Sequence, residues 1–244
     1  MRAPFNKGDT TMMDIVRFDE LGKADFGWLQ ARHHFSFGRY YNPERMGFGN
    51  LRVVNDDRVA AGNGFEPHPH DNMEIITYVR RGEIRHRDNM GNDGVTHAGS
   101  VQVMSAGTGV THAEHASATE PTVLYQIWIL PNARDVAPRW EMRGFPADPV
   151  SEALPLLVSG DAADAAGGAL YIHADAALYG GRLAAGTKVT QDFGPRAYVL
   201  VSEGAVAVNG QAMRAGDGAA VADEGALRIE AETEAEVVVV RLAE

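Results

Sequence analysis

Two short patterns in the chain place metal-binding side chains two residues apart: His68-Pro-His70 and His112-Ala-Glu114. Side chains at positions i and i+2 of a β-strand project from the same face of the strand. Two such strands facing each other across a small barrel would bring three imidazoles and one carboxylate around a single ion. Borderline and hard divalent metals accept this mixture of nitrogen and oxygen ligands. The spacing therefore predicts one metal site.

The alternative is that these histidines are structural residues with ordinary hydrogen-bond partners. The chain has nine histidines in 244 residues, so a His-x-His pair alone is weak support, because about 0.3 such pairs arise by chance. The surroundings favour a metal site. Gly62 and Gly64 precede the first pair, Glu74 follows it, and the apolar run 75–79 ends at Gly82. The second pair follows a similar strand and glycine corner.

Composition limits the classes of protein that this chain can represent. With 45% hydrophobic residues, it can form one large or two small cores. We expect neither a membrane span nor a signal peptide, because no run of eighteen apolar residues and no cleavable leader is visible, and the cytoplasm is the default location. The formal charge of 22 − 33 = −11 opposes direct nucleic-acid binding. The lack of cysteine excludes disulfides and thiol catalysis.

Short apolar stretches separated by Asn, Asp and Gly turns predict an all-β chain of the sandwich or barrel type. The predicted strands are 51–54, 75–79, 101–104 and 123–130. The segment 88–94 supplies glycines for a hairpin turn. The aromatic segment 18–50 is expected to be irregular covering structure, and residues 1–12 a disordered tail.

Four prolines, at 138, 146, 149 and 155, predict a domain boundary near residue 146. We therefore expect an N-terminal metal-binding domain, 13–146, and a C-terminal domain, 147–244. Segments 198–210 and 215–217 repeat the pattern of 78–84 and 98–100, which indicates an internal duplication. Counted from the shared glycines, the four ligand positions of the first copy map to residues without the same ligands: Thr190, Asp192, Ile229 and Ala231. The second copy is expected to have lost the metal site.

The chain resembles the cupin superfamily in the glycine, His-x-His, glutamate and closing glycine of its first motif, and in the glycine corner before His112. Three longer segments resemble the pirin family of bicupins more narrowly: 64–70, 86–92 and 104–114. The resemblance extends over Trp28 and 126–128 and covers most of the first domain. It implies a fold of two β-barrel domains, of the jelly-roll or double-stranded β-helix type, packed in one chain.

The resemblance also implies roles for residues of this chain. The pirin metal ligands correspond to His68, His70, His112 and Glu114, whereas general cupins use a glutamate in the place of Glu74. We favour Glu114 as the ligand, since it is two residues from His112, and expect Glu74 to orient a histidine ligand or to line the pocket.

Other residues are assigned with less direct support. Three aromatic residues are expected to line a pocket or to pack in the core: Phe65, Phe48 and Trp128. His33 and His34 are expected at the surface or in a pocket wall. His86 and His97 are expected to be exposed.

The resemblance implies quercetin 2,3-dioxygenase activity with one divalent transition metal. Fe(II) is the first choice, and Mn, Ni, Co, Cu or Zn are alternatives. Glu114 would accept the proton of a flavonol hydroxyl, and O2 would then open the ring with release of carbon monoxide. The alternative is a regulator without enzymatic activity, whose metal reports redox state to protein partners through the same four ligands.

Overall fold

The computed structural model describes residues 13–144, 147–222 and 225–243, and β-strands dominate them. The predicted tail, 1–12, lies outside the described residues. Among those that are described, no helix is long and apolar enough to cross a membrane. The predicted all-β fold of two similar units in one chain is confirmed.

In chain order the elements are β1 (Met13–Val16), a 3-10 turn (Phe18–Glu20), β2 (Gly22–Asp25), β3 (Leu29–His33), β4 (Leu51–Val59), β5 (Gly64–His70), β6 (Glu74–Arg81), β7 (Glu83–Asp88), β8 (Asp93–His97), β9 (Ser100–Ser105), β10 (Val110–Ala116), β11 (Thr122–Ile129), β12 (Arg139–Gly144), β13 (Leu156–Ser159), α1 (Ala162–Ala166), β14 (Leu170–Tyr171), β15 (Ala176–Leu183), β16 (Lys188–Asp192), β17 (Arg196–Glu203), β18 (Ala205–Val208), β19 (Gln211–Arg214), β20 (Gly218–Ala222), β21 (Ala226–Ala231) and β22 (Ala235–Leu242).

Each unit is built from a seven-stranded sheet and a four-stranded sheet. In the first unit, the seven-stranded central sheet has the order β12-β9-β6-β11-β4-β3-β2, and the four-stranded ligand sheet has the order β5-β10-β7-β8. In the second unit the orders are β1-β20-β17-β22-β15-β13-β14 and β16-β21-β18-β19. The two sets correspond in order and differ at one edge, where β2 and β3 pair antiparallel whereas β13 and β14 pair parallel. The shared order agrees with the predicted duplication.

The first strand departs from the predicted domain boundary. Strand β1 pairs antiparallel with β20 and so completes the sheet of the second unit, although it precedes the first unit in the chain. In the first unit the corresponding edge is filled by β12, which pairs with β9. Residues 13–16 were predicted to belong to the N-terminal domain, 13–146, but they form part of the second unit's sheet. There β1 pairs with the backbone groups at the edge of that sheet, which would otherwise be unpaired.

The central sheet is buried on both faces. On β6 and β11 the side chains of Ile76, Tyr78 and Ile127 belong to an apolar cluster that also contains Tyr198 and Val238 of the second unit. The intervening side chains point to the ligand sheet. Because alternate residues of a strand face opposite ways, one strand serves the core between the units and the interior of its own unit at once.

Two sequence predictions about strands need correction. Strand β4 continues to Val59 through the Asn and Asp residues that were expected to form a turn, because it is paired on both sides, by β3 and β11. The segment 18–50 contains two strands, β2 and β3, in addition to irregular structure. The predicted hairpin at 88–94 is confirmed as the connection of β7 and β8.

Gly64 permits the close approach of the two strands that carry the predicted ligands. A Cβ at this position would overlap the carbonyl oxygen of Glu114 and the Cα of His115. Both are backbone atoms of β10 and cannot rotate away.

We expect Gly64→Ala to lower the free energy of unfolding by about 1–3 kcal/mol, the usual range for overpacking. Gly144→Ala is the matched control, since a Cβ on this β12 residue meets no heavy atom within 4 Å. Urea denaturation of the two variants measures the difference. Equal stability of both variants would contradict the proposed close approach.

Candidate metal centre

The structure brings together the three predicted histidine ligands. His68 and His70 lie on β5, and His112 lies opposite His68 in the register of β10. The ring centroids are 4.5 Å apart for His68 and His112, 4.9 Å for His68 and His70, and 5.0 Å for His70 and His112. One nitrogen from each ring lies within 4.8 Å of the others. This convergence suits a metal ion.

The nitrogens of these rings are prepared for coordination. Nδ1 of His68 lies 2.7 Å from the carbonyl oxygen of Glu66, which can only accept, so Nδ1 carries a proton and Nε2 is the nitrogen left for a metal. Nε2 of His112 is buried without a hydrogen-bond partner. Burial lowers the pKa of His70 to about 4 and that of His112 to about 3, and the neighbouring imidazoles act in the same direction. Both rings are thus neutral near pH 7.

Glu114 lies beside His112, in a second group of donors that includes His86. Its carboxylate accepts a hydrogen bond on each oxygen, from Gln102 at 2.6 Å and from Gln126 at 2.8 Å. Burial raises the pKa of Glu114, while the two amide donors oppose this rise. The carboxylate is therefore held in a fixed orientation by two strands of the central sheet, β9 and β11.

His86, which was expected to be exposed, is fully buried behind the ligands. Its Nε2 lies 3.0 Å from Asp88 Oδ2, and its Nδ1 lies 3.3 Å from Nδ1 of His112. Asp88 also accepts from Asn92 and from the amide of Met90, which identifies it as an ionised carboxylate. The ring of His86 stacks on Trp140, at 5.0 Å and 11°. The prediction of exposure was wrong because β12 covers this hairpin.

These contacts assign the proton positions in a chain of three side chains. Because ionised Asp88 only accepts, Nε2 of His86 donates to it, which leaves Nδ1 of His86 as the acceptor for Nδ1 of His112. His112 thus carries its proton on Nδ1. Its Nε2 lone pair, the buried nitrogen without a partner, is free to bind a metal.

Two residues predicted near the site lie elsewhere. Glu74 is on the opposite face of β6 from the cavity, where its carboxylate accepts from Ser105 at 2.7 Å. It does not orient any of the histidine ligands, since the strand alternation directs it to the second unit. Phe48 packs against the core between the units, with its ring 6.5 Å from that of Tyr198.

Of the other aromatic and histidine residues singled out from the sequence, some line the cavity and others lie elsewhere. Phe65 and Trp128 do line the cavity next to the histidines, and so does His33. His34, one position along the chain, points to the second unit and binds the Tyr198 hydroxyl at 2.9 Å. The prediction of a surface or pocket position was wrong for His34. His97 is exposed, as predicted.

The cavity has a volume of about 850 Å³ and is bounded by both sheets of the first unit. The ligand sheet contributes the three histidines and Glu114. Aromatic rings form much of the remaining wall, with Trp28 and Phe65 edge to face at 5.3 Å and Trp128 edge to face with His70 at 5.0 Å. Asp57 also lines the cavity, and burial together with the carboxyls of Asp56 and Glu114 raises its pKa well above the usual value.

The equivalent strands of the second unit, β16 and β21, enclose apolar side chains. Val189, Leu227 and Ile229 are buried there in a cluster with Val206 and Phe193. Within the described residues, the groups of side chains suited to a metal all lie in the first unit. The predicted loss of the second site agrees with this packing.

Sequence reasoning missed the side chains that support the ligands. Gln102 and Gln126 are polar residues in otherwise apolar strands, and both are buried. Such an interruption is a usable signal, because a buried polar side chain must find a partner. His86 and Asp88 are two residues apart on β7, which is the same spacing that predicted the metal ligands.

The residues present fit a divalent transition metal. Three converging imidazoles and one adjoining carboxylate form a mixed nitrogen and oxygen set. The unpartnered Nε2 of His112 would gain a partner on metal binding. The three histidines would hold the ion, with Glu114 as the neighbouring oxygen donor.

Comparison with known proteins agrees with this geometry. Residues 16–129 match the family model described as Pirin, and residues 156–242 match the model described as Quercetinase C-terminal cupin domain. Over 234 residues the chain is 50% identical to a Pseudomonas aeruginosa protein provisionally named quercetin 2,3-dioxygenase, with 95% of this chain and 100% of that protein covered. The chain belongs to the pirin family.

A sequence match and a structure match, both from Escherichia coli, extend the comparison of this pirin-family chain. It is 42% identical over 229 residues to the K12 protein named quercetin 2,3-dioxygenase, covering 93% of this chain and 96% of that protein. The crystal structure of the bacterial pirin YhhW in complex with nickel(II) matches with a TM-score of 0.88 at 40% identity, covering 95% of this chain and 99% of that one. The family assignment confirms the predicted two-domain cupin fold.

We expect His86→Leu to weaken metal binding by about ten- to a hundredfold, because it removes the acceptor that fixes the proton of His112. His86→Gln should lose less, since its amide offers both an acceptor and a donor. His68→Ala removes a predicted ligand and serves as the reference for the full loss. Titration calorimetry with nickel(II) measures the affinities, and circular dichroism confirms folding. Unchanged affinity in His86→Leu would refute the assigned role of His86.

Proposed function

We propose that this chain is a metal-dependent dioxygenase that cleaves flavonols such as quercetin with O2 and releases carbon monoxide. The observation that carries the proposal is the convergence of three imidazoles and a buried carboxylate on the wall of a cavity lined by aromatic rings. The names of the relatives in Pseudomonas aeruginosa and Escherichia coli support the same reaction.

The cavity suits a planar aromatic substrate. Its volume of about 850 Å³ falls in the range of about 300–1,000 Å³ that is usual for small-molecule sites. Phe65 and Trp128 lie beside the ligand histidines, with the ring of Phe65 6.2 Å from that of His68. Edge and face contacts with such rings favour a flat, conjugated molecule.

Glu114 is the proposed base for the flavonol hydroxyl. Each of its oxygens accepts one amide hydrogen bond, and each retains a lone pair for a further proton. A carboxylate held in this way receives the hydroxyl proton at a defined position, and loss of that proton makes the flavonol ring richer in electrons. Gln102 and Gln126 orient Glu114 and do not themselves exchange protons.

The metal would supply the Lewis-acid and redox chemistry that reaction with O2 requires. Fe(II) is the proposed metal, with Mn, Ni, Co, Cu or Zn as alternatives that the same donors accept. In the overall reaction one flavonol and one O2 give one ring-opened product and one carbon monoxide, so that no further oxidant or reductant is consumed. The small-molecule partners are then the flavonol and O2.

We expect Glu114→Gln to lower flavonol turnover by about a hundredfold or more, the usual scale for loss of a general base. Glu74→Gln is the matched control, because the structure places Glu74 on the other face of its strand, and its turnover should stay near that of the parent chain. Oxygen uptake and carbon monoxide release are measured with both variants at equal metal occupancy.

A greater loss with Glu74→Gln than with Glu114→Gln would reverse the assignment of the base. A parent chain that binds metal and shows no flavonol-dependent oxygen uptake would refute the dioxygenase and favour the metal-dependent regulator.

A further inference from the structure

One carboxyl group in the cavity has no role in the proposed reaction. Asp57 lies on β4, is 3% exposed and lines the same cavity as the ligand histidines. Its Oδ1 is buried and has no hydrogen-bond partner among the described residues. Buried polar atoms are normally paired, so an unpaired carboxyl oxygen on a residue that lines a cavity indicates a missing partner.

The position of Asp57 is opposite the metal ligands. Asp57 belongs to the central sheet, whereas His68, His70 and His112 belong to the ligand sheet. Both sheets bound one cavity. A flat molecule that reaches the histidines with one edge can therefore present another part of its rim to Asp57.

The cavity wall formed by β4 carries a second buried polar side chain next to Asp57, that of Asn55. Asn55 precedes Asp57 by two residues on β4, so its side chain faces the same cavity, and it is also buried. Its Oδ1 already binds Nδ1 of His33 at 2.7 Å, which fixes its orientation. The amide is thereby held in place beside Asp57, and the carboxyl is the member of the pair that lacks a partner.

We propose that Asp57, beside the fixed amide of Asn55, forms a subsite for a phenolic hydroxyl of the substrate remote from the hydroxyl that reacts. This inference rests on the proposed function and narrows it to polyhydroxylated flavonols. A carboxyl accepts a hydrogen bond from a phenol whether or not it carries a proton. A flavonol without such a hydroxyl would leave Asp57 unpaired, and sites built to bind a hydroxyl discriminate strongly against analogues that lack it.

The test compares two flavonols that differ in their remote hydroxyls. Quercetin carries several, whereas 3-hydroxyflavone carries only the reactive hydroxyl. Each is measured with the parent chain, with Asp57→Leu, which removes the acceptor at similar volume, and with Asp57→Asn, which retains one. Binding is followed without O2 by quenching of tryptophan fluorescence, since Trp28 and Trp128 line the cavity. Oxygen uptake then gives KM and kcat separately.

We expect Asp57→Leu to raise Kd and KM for quercetin by about tenfold or more, the scale for loss of a buried hydrogen bond. For 3-hydroxyflavone the same variant should change them by less than about twofold, and Asp57→Asn should lie between the parent and Asp57→Leu for quercetin. If Asp57→Leu does not fold, Asp57→Ala removes the same acceptor without added bulk.

Equal effects on the two flavonols, or no effect on quercetin, would overturn the subsite and leave the dioxygenase unaffected. If the parent chain binds flavonols but does not turn them over, the proposed dioxygenase function is refuted. A selective loss of quercetin binding in Asp57→Leu would then still support the subsite. Failure of the parent to bind either flavonol would overturn both proposals.

Discussion

Burial of the central sheet on both faces is the constraint on which the rest of this structure depends. Tyr78 and Ile127 face the second unit, while Thr77 and Gln126 of the same strands face the ligand sheet. A shift of one residue in the strand pairing would turn Thr77 and Gln126 toward the core between the units. It would turn Tyr78 and Ile127 toward the ligand sheet. This shifted register would leave the buried polar groups without partners, so the observed register is strongly specified.

The candidate metal centre depends on this register because one face of the central sheet lies against it. Its ligands come from the facing ligand sheet, but the orientation of Glu114 is set by Gln102 and Gln126 of the central sheet. The distance between the sheets thus determines whether the carboxylate stands beside the histidines. On the other side, Asp88 and His86 fix the proton of His112. Preorganisation of this kind spares the site a rearrangement when the metal binds.

The second unit shows that the fold does not need the ligands. It repeats both sheets in the same strand order and fills the equivalent interior with Val189, Leu227, Ile229 and their apolar neighbours. Gly82 and Gly204 occupy equivalent corners, each with positive φ and each against the backbone of a neighbouring segment. Glycine corners and strand alternation carry the architecture, and the cavity side chains are free to differ. The paired units also bury the outer faces of both seven-stranded sheets.

The sequence alone determined the strands of the first unit around residues 75–79, 101–104 and 123–130, the duplication, and the grouping of His68, His70 and His112, because side-chain alternation is a local property of a strand. The sequence also predicted that Glu114 lies near these histidines, because it is two residues from His112 on the same strand. Only the tertiary structure decided the long-range features. Strand β1 crosses to the second unit, Glu74 and His34 face the core between the units, and His86 is covered by Trp140. These positions depend on which sheet packs on each face of a strand, and the spacing along the chain does not carry that information.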